Sequence, residues 1–237
     1  MRINIYTSKE TLTQEFTKWF TEYIGSSEEH LHIALSGGST PKMIFQALAT
    51  NYKDQVDWSK VSFYWGDERC VPPTDGDSNY GMTAELLLSK VPVPPQNIHR
   101  IKGEDNPQEE AIRYGKLLEK NLKLNHNMPS FDLVILGMGD DGHTASIFPH
   151  EIALWESESN CVVATHTESG QKRVSITGKV INNASTVAFL VSGSNKAEKL
   201  REILKYEGSF SDYPASLVAP SGGNLLWFLD KEAAKEL

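Results

Sequence analysis

Cysteine is nearly absent. The 237 residues hold two, Cys70 and Cys161. Neither sits in a Cys-x-x-Cys pair or a Cys/His cluster of zinc-like spacing, which argues against a disulfide framework and a structural metal. Positive charge is also in deficit: 23 Lys+Arg against 31 Asp+Glu give a formal net charge of −8. Proteins that hold polyanions normally show a basic excess, so nucleic acid and anionic lipid are poor partners for this chain. Long apolar runs are missing too. The best, Val187 to Val191 and Leu225 to Leu229, have five residues each, far short of the roughly 20 that cross a bilayer. The opening MRINIYTSKETLTQEF has no apolar segment of the signal-peptide kind. The expectation is a cytoplasmic protein with no membrane or nucleic-acid partner. Repeats, low-complexity tracts and Gly/Ser linkers are absent as well, which predicts a single domain over residues 1–237.

What is present is an ordinary globular composition, 39% hydrophobic and 23% charged, with a clear rhythm. Short Val/Ile/Phe-rich runs alternate with longer amphipathic stretches, the pattern of βαβ units. Strands are expected at 3–6, 31–35, 61–65, 131–136, 187–191 and 225–229. Helices are expected from Ser8, a capping residue, to about Ile24, and over 41–49, 79–90, 107–124 and 196–204. Two further runs, 162–167 and 174–177, have little helical sequence between them and read as antiparallel or edge strands. The fold class is therefore α/β: an open, mostly parallel, Rossmann-like sheet with helices on both faces.

In such sheets ligands lie beyond the carboxyl ends of the strands, so the residues just after each strand are the place to search. Leu35-Ser36-Gly37-Gly38-Ser39-Thr40-Pro41 joins a strand to a helix through paired glycines. Backbone N–H groups can approach an anion there, and the helix N-terminus adds partial positive charge; taken alone it is also an ordinary βα turn with a good cap. No Gly-Lys-Ser/Thr follows, so it is not a Walker A loop. Trp65-Gly66-Asp67-Glu68-Arg69 sets two carboxylates and a guanidinium where a buried strand emerges. Gly137-Met138-Gly139-Asp140-Asp141-Gly142-His143-Thr144 contains GxGxxG, but its two aspartates would oppose a pyrophosphate. It offers instead Asp141 two residues before His143. A carboxylate there can fix the imidazole tautomer and leave the other ring nitrogen as a general base. Arg173 before one strand and Lys196 at the start of a helix, with the Ser36–Thr40 amides, would make a consistent phosphate site.

Together with Asp77-Ser78-Asn79-Tyr80, Ala145-Ser146-Ile147-Phe148-Pro149 and Pro214-Ala215-Ser216-Leu217-Val218, these segments resemble the 6-phosphogluconolactonase family, in the family's order and over nearly the whole chain. The resemblance implies the α/β fold shared with glucosamine-6-phosphate deaminases. It also implies hydrolysis of 6-phospho-D-glucono-1,5-lactone to 6-phosphogluconate in the pentose phosphate pathway, without metal or cofactor. Carried over by position, it gives His143 as catalytic and Asp141 as the acid beside it. Ser36, Gly37, Gly38, Ser39, Thr40, Arg173 and Lys196 fall around the sugar phosphate, and Asp67 and Arg69 on the polar wall of the site. The prolines the family often carries before the Arg173 strand are replaced here by Glu168-Ser169-Gly170-Gln171-Lys172. Two other readings stand beside this one. A glucosamine-6-phosphate deaminase would need a glutamate where this chain has Phe148, and a non-catalytic sugar-phosphate sensor would need no histidine–aspartate pair.

Overall fold

The computed structural model describes residues 1–237. In chain order its elements are β1 (Arg2–Tyr6), α1 (Lys9–Gly25), β2 (Leu31–Leu35), α2 (Ser39–Asn51), β3 (Val61–Trp65), β4 (Asp67–Arg69), α3 (Asn79–Thr83), β5 (Ile98–His99) and α4 (Pro107–Asn121). Then come β6 (Lys123–Asn125), β7 (Met128–Ser130), β8 (Leu133–Leu136), β9 (Cys161–Thr165), β10 (Lys172–Ile176), α5 (Gly178–Asn182), β11 (Thr186–Val191), α6 (Ala197–Lys205) and β12 (Asn224–Asp230). Seven strands form one sheet in the order β1-β12-β11-β8-β2-β3-β5, and every pairing in it is parallel. No helix is long and apolar enough to cross a membrane.

Both faces of this sheet are covered. Successive strand residues point to opposite sides, and the neighbours Trp227 and Phe228 on β12 are both buried. Phe228 meets Phe16 of α1 edge-on at 5.0 Å, while Trp227 stacks on Phe189 at 4.0 Å on the other side. The helix α1 begins where expected, with the Ser8 side chain accepting from the Thr11 N–H. One continuous cluster of buried apolar residues runs from Leu12 to Ala233.

Four sequence expectations change. The runs around Val162 and Val174 are antiparallel, but they belong to a separate three-stranded sheet, β4-β10-β9. Its third member is Asp67–Arg69, so that charged segment is itself a strand. The helix expected to reach Leu124 stops at Asn121, because His126 and Asn127 both take positive φ and turn β6 back onto β7 as a hairpin. The 79–90 helix is α-helical only to Thr83 and then widens into a π-turn over Ala84–Leu88, with Ser89 N–H bonding the Ala84 carbonyl. Lys196 does not open a helix: it ends a 3₁₀ turn, and α6 starts at Ala197.

The sheet order turns at β2 and β8. From β2 the chain builds outward through β3 and β5; from β8 it builds outward through β11 and β12. This is the switch point at which open parallel sheets leave a crevice. The Ser36 hydroxyl donates to the Ile135 carbonyl at 2.7 Å and ties the two strand ends together there.

Candidate active site

A cavity of about 280 Å³ opens at this point. Its floor is the loops after β2, β8 and β11, and its wall is the second sheet. Ser36, Gly37, Gly38, Ser39, Thr40, Asp67, Arg69, His143, Arg173 and Lys196 all line it. Asp141 does not; it lies behind His143, on an outer groove.

The Gly139–His143 bend fixes the histidine. Asp141 Oδ1 accepts from the His143 backbone N–H at 3.0 Å and contacts Nδ1 at 2.6 Å. Burial acts to raise the Asp141 carboxyl, but the hydrogen bonds from His143 outweigh it and hold the group down at about 2. An ionised carboxylate only accepts, so Nδ1 must carry the hydrogen, and in the neutral ring Nε2 then keeps a free lone pair. Gly139 is required by this packing, since a Cβ there would sit 2.1 Å from His143 Nδ1 and 2.6 Å from Asp141 Oδ1.

The positive groups are held in two different ways. Arg69 and Arg173 face each other across the β4–β10 pairing. Like charges placed so repel, a cost that a bound anion between them would offset. Arg69 Nη1 donates to the Asp77 carbonyl at 2.5 Å, yet the Nε of each arginine is buried without a partner. The Arg173 guanidinium lies over the Phe148 ring at 5.5 Å; burial lowers its basicity, and Arg69 lowers it further. Lys196, by contrast, is engaged by an ion pair to Asp140.

Two expected ligands turn out to have structural work. The Ser36 hydroxyl donates its one proton to Ile135, so the only donor Ser36 has left for a phosphate oxygen is its backbone N–H. Asp67 Oδ2 accepts from the Ser146 hydroxyl at 2.5 Å, and the Asp67 carbonyl accepts from Asn79 Nδ2 at 3.0 Å. Thr40 and Ser192 hydroxyls meet at 3.0 Å, and Lys9 Nζ reaches the Ser39 hydroxyl at 2.8 Å. The first N–H groups of α2 have no intrahelical acceptor and remain as donors at the cavity.

Three residues were not singled out for the roles they take. Asn79 lines the cavity and fills the space a side chain at Gly37 would need, with Oδ1 only 1.7 Å from an added Cβ. Glu68 is buried beneath the site and accepts from the Arg69, Asn79 and Tyr80 N–H groups and the Ser78 hydroxyl. Burial raises its carboxyl despite these bonds; it anchors the start of α3 and is not available to a ligand. Phe148, fully buried, touches the His143 ring at 4.7 Å and carries Arg173 over its own ring. The motif around Asn79 was visible in the sequence, but nothing in its spacing announced a contact with Gly37. No three His, Cys, Asp or Glu side chains converge as a metal-ligating cluster.

The family model described as glucosamine-6-phosphate isomerases/6-phosphogluconolactonase matches residues 7–227. The chain belongs to this family. Among its relatives, a 6-phosphogluconolactonase of Aggregatibacter actinomycetemcomitans is 43% identical over 230 residues, 96% of this chain and 94% of that one. One from Treponema pallidum is 48% identical over 177 residues, 75% of this chain and 73% of the relative. The solved structure of 6-phosphogluconolactonase from Trypanosoma brucei superposes with a TM-score of 0.88 at 30% identity, covering 100% of this chain and 98% of that one. The family's parallel-sheet fold is the one described above.

Proposed function

We propose that the protein hydrolyses 6-phospho-D-glucono-1,5-lactone to 6-phosphogluconate, the lactonase step of the oxidative pentose phosphate pathway, with His143 as general base. The observation that carries this is one cavity holding both an imidazole with its free Nε2 and a pair of guanidiniums whose Nε atoms lack partners. The named relatives act as lactonases, and the site contains what that chemistry asks for. A δ-lactone is an activated ester, so water needs a base, and the departing ring oxygen needs a proton.

In this scheme His143 Nε2 takes a proton from water as its oxygen bonds to C1 of the lactone. The tetrahedral intermediate collapses by breaking the bond from C1 to the ring oxygen, and the imidazolium returns the proton to that oxygen. Asp141 stays ionised and steadies the imidazolium. Arg69, Arg173, Lys196 and the α2 N-terminus hold the phosphate, so positioning supplies the rest of the acceleration. No covalent enzyme intermediate is formed, and no G-x-S-x-G elbow is present for a serine nucleophile. Phe148 is an apolar, buried side chain where deaminase chemistry would need an acid, so that alternative is not favoured.

The test is lactone hydrolysis measured against its spontaneous rate. Acceleration by the purified protein, with no ammonia released from glucosamine 6-phosphate, is the expected result. Tight binding of 6-phosphogluconate without acceleration would instead establish a sensor, and a trapped acyl-enzyme would overturn the direct attack of water.

A further inference from the structure

We propose that Asp140 works against ligand binding: it competes with the sugar phosphate for the Lys196 ammonium and thereby speeds release of the anionic product. The inference rests on Lys196 being a phosphate ligand, as read above.

Lys196 lines the inner cavity, and its side chain is only 16% exposed. Asp140 lies outside that cavity and is 66% exposed. It lines a second groove, of about 540 Å³, that meets the cavity at Gly139, His143 and Lys196. Lys196 therefore stands on the boundary between the two spaces, drawn outward by a carboxylate on the wet side. That carboxylate is itself held in place. Asn195 Nδ2, on the residue before Lys196, donates at 3.0 Å to the same Oδ1 that the ammonium contacts. The hydrogen bond from Lys196 holds the Asp140 carboxyl below its usual range.

The contrast with Arg173 gives the pair its meaning. Arg173 forms no ion pair: its guanidinium lies over the Phe148 ring and its Nε is buried without a partner, so an arriving phosphate displaces no paired carboxylate there, although Asp67, Asp77 and Asp141 act on it from further off. At Lys196 the phosphate must share or break an existing ion pair. Exposed pairs of this kind are individually weak, so Asp140 trims affinity without abolishing it. Product carries the same phosphate and is released by the same competition. Hydrolysis leaves the phosphate unchanged and adds a further negative group, the new carboxylate at C1, and a site with every cation free would hold so highly charged an anion longer.

Four proteins decide the matter: wild type, Asp140→Asn, Lys196→Ala and the double variant, each measured for KM with the phosphorylated lactone and for inhibition by 6-phosphogluconate. Asp140→Asn is expected to lower KM and the inhibition constant about three- to fivefold, the scale of an exposed pair. Lys196→Ala is expected to raise both, and Asp140→Asn should then have no further effect in its background. If Lys196→Ala leaves KM unchanged, the phosphate reading of Lys196 fails and the competition with it. If Lys196→Ala raises KM but Asp140→Asn does not lower it, the reading of Lys196 stands and the competition is overturned. An equal effect of Asp140→Asn with and without Lys196 would also overturn it, by showing a general field rather than a shared ammonium. Circular dichroism of all four checks that each is folded.

Discussion

Two groups of histidine occupy this sheet, and they show what separates a reactive imidazole from a packed one. After β8, His143 has a carboxylate on Nδ1 and a cavity on the other side of the ring. On one face of β2, β3 and β5 sits a second group: His30, His32 and His99 around Tyr64. His32 Nδ1 meets the Tyr64 hydroxyl at 3.1 Å, His99 stacks on the Tyr64 ring at 4.6 Å, and His30 Nε2 meets the Ser62 hydroxyl at 2.8 Å. Their ring partners are neutral. Burial, followed for His99 by the other histidines, pushes the basicity of His32 and His99 down. Asp132 is close to His32, yet one of its oxygens accepts the His32 backbone N–H at 2.7 Å. The residue type is the same; the partner and the access to a cavity decide the role.

The largest expected effect breaks this contrast at its strong end. His143→Ala should lower kcat by about 10²–10⁴-fold, the usual worth of general acid–base help, with KM nearly unchanged. His32→Gln and His99→Gln should leave kcat within a factor of about two, because neither touches the cavity. Steady-state kinetics on the three variants is the check. A comparable loss of kcat in His99→Gln would erase the distinction.

How far this was legible in the sequence follows from the range of each signal. Strand and helix patterns are local, so six of the seven parallel strands, the capped α1 and the loops after β2 and β8 were readable residue by residue, while the two-residue β5 was too short to leave a pattern. The Asp141–His143 pair was readable for the same reason, since the two are two residues apart. Contacts that span the chain were not. Nothing local says that Asp67–Arg69 pairs with Lys172–Ile176, that Asn79 fills the space beside Gly37, or that Arg173 rests on Phe148. Lys196 was found as a cation near a strand end, but its ion pair spans 56 residues and leaves no mark in the sequence around it.

A smaller effect sharpens the strong end. Phe148 supports both the His143 ring and the Arg173 guanidinium, so Phe148→Leu should lower kcat and raise KM together, each by about three- to tenfold. That range is what lost ring contacts of roughly 1 kcal/mol each amount to. Arg173→Ala should instead act mainly on KM. If Phe148→Leu changed only the melting temperature and left both constants alone, the ring would be core packing and nothing more. Phe148→Tyr, which keeps the ring faces, should retain most of the activity.

The smallest effect belongs to the packed group, and its sign is set by the direction of the shifts. Folding lowers the basicity of His32 and His99 below the usual value of 6.5. Well above 6.5 both rings are neutral whether the chain is folded or not, and their contribution to stability is fully present. As pH falls through 6.5 the unfolded chain takes up protons first, and the folded state loses ground until its own histidines protonate at lower pH. Asp141 follows the opposite rule: its depressed carboxyl contributes above the usual carboxylate range and is lost only as pH falls toward about 2. Between pH 7.5 and 5, then, His32 and His99 act to lower the melting temperature, while the Asp141 carboxyl contributes no change. A His32→Gln/His99→Gln double variant should melt with a shallower pH dependence across that window. A double variant whose melting temperature fell as steeply as the wild type's on acidification from 7.5 to 5 would contradict the burial of these two rings as neutral groups.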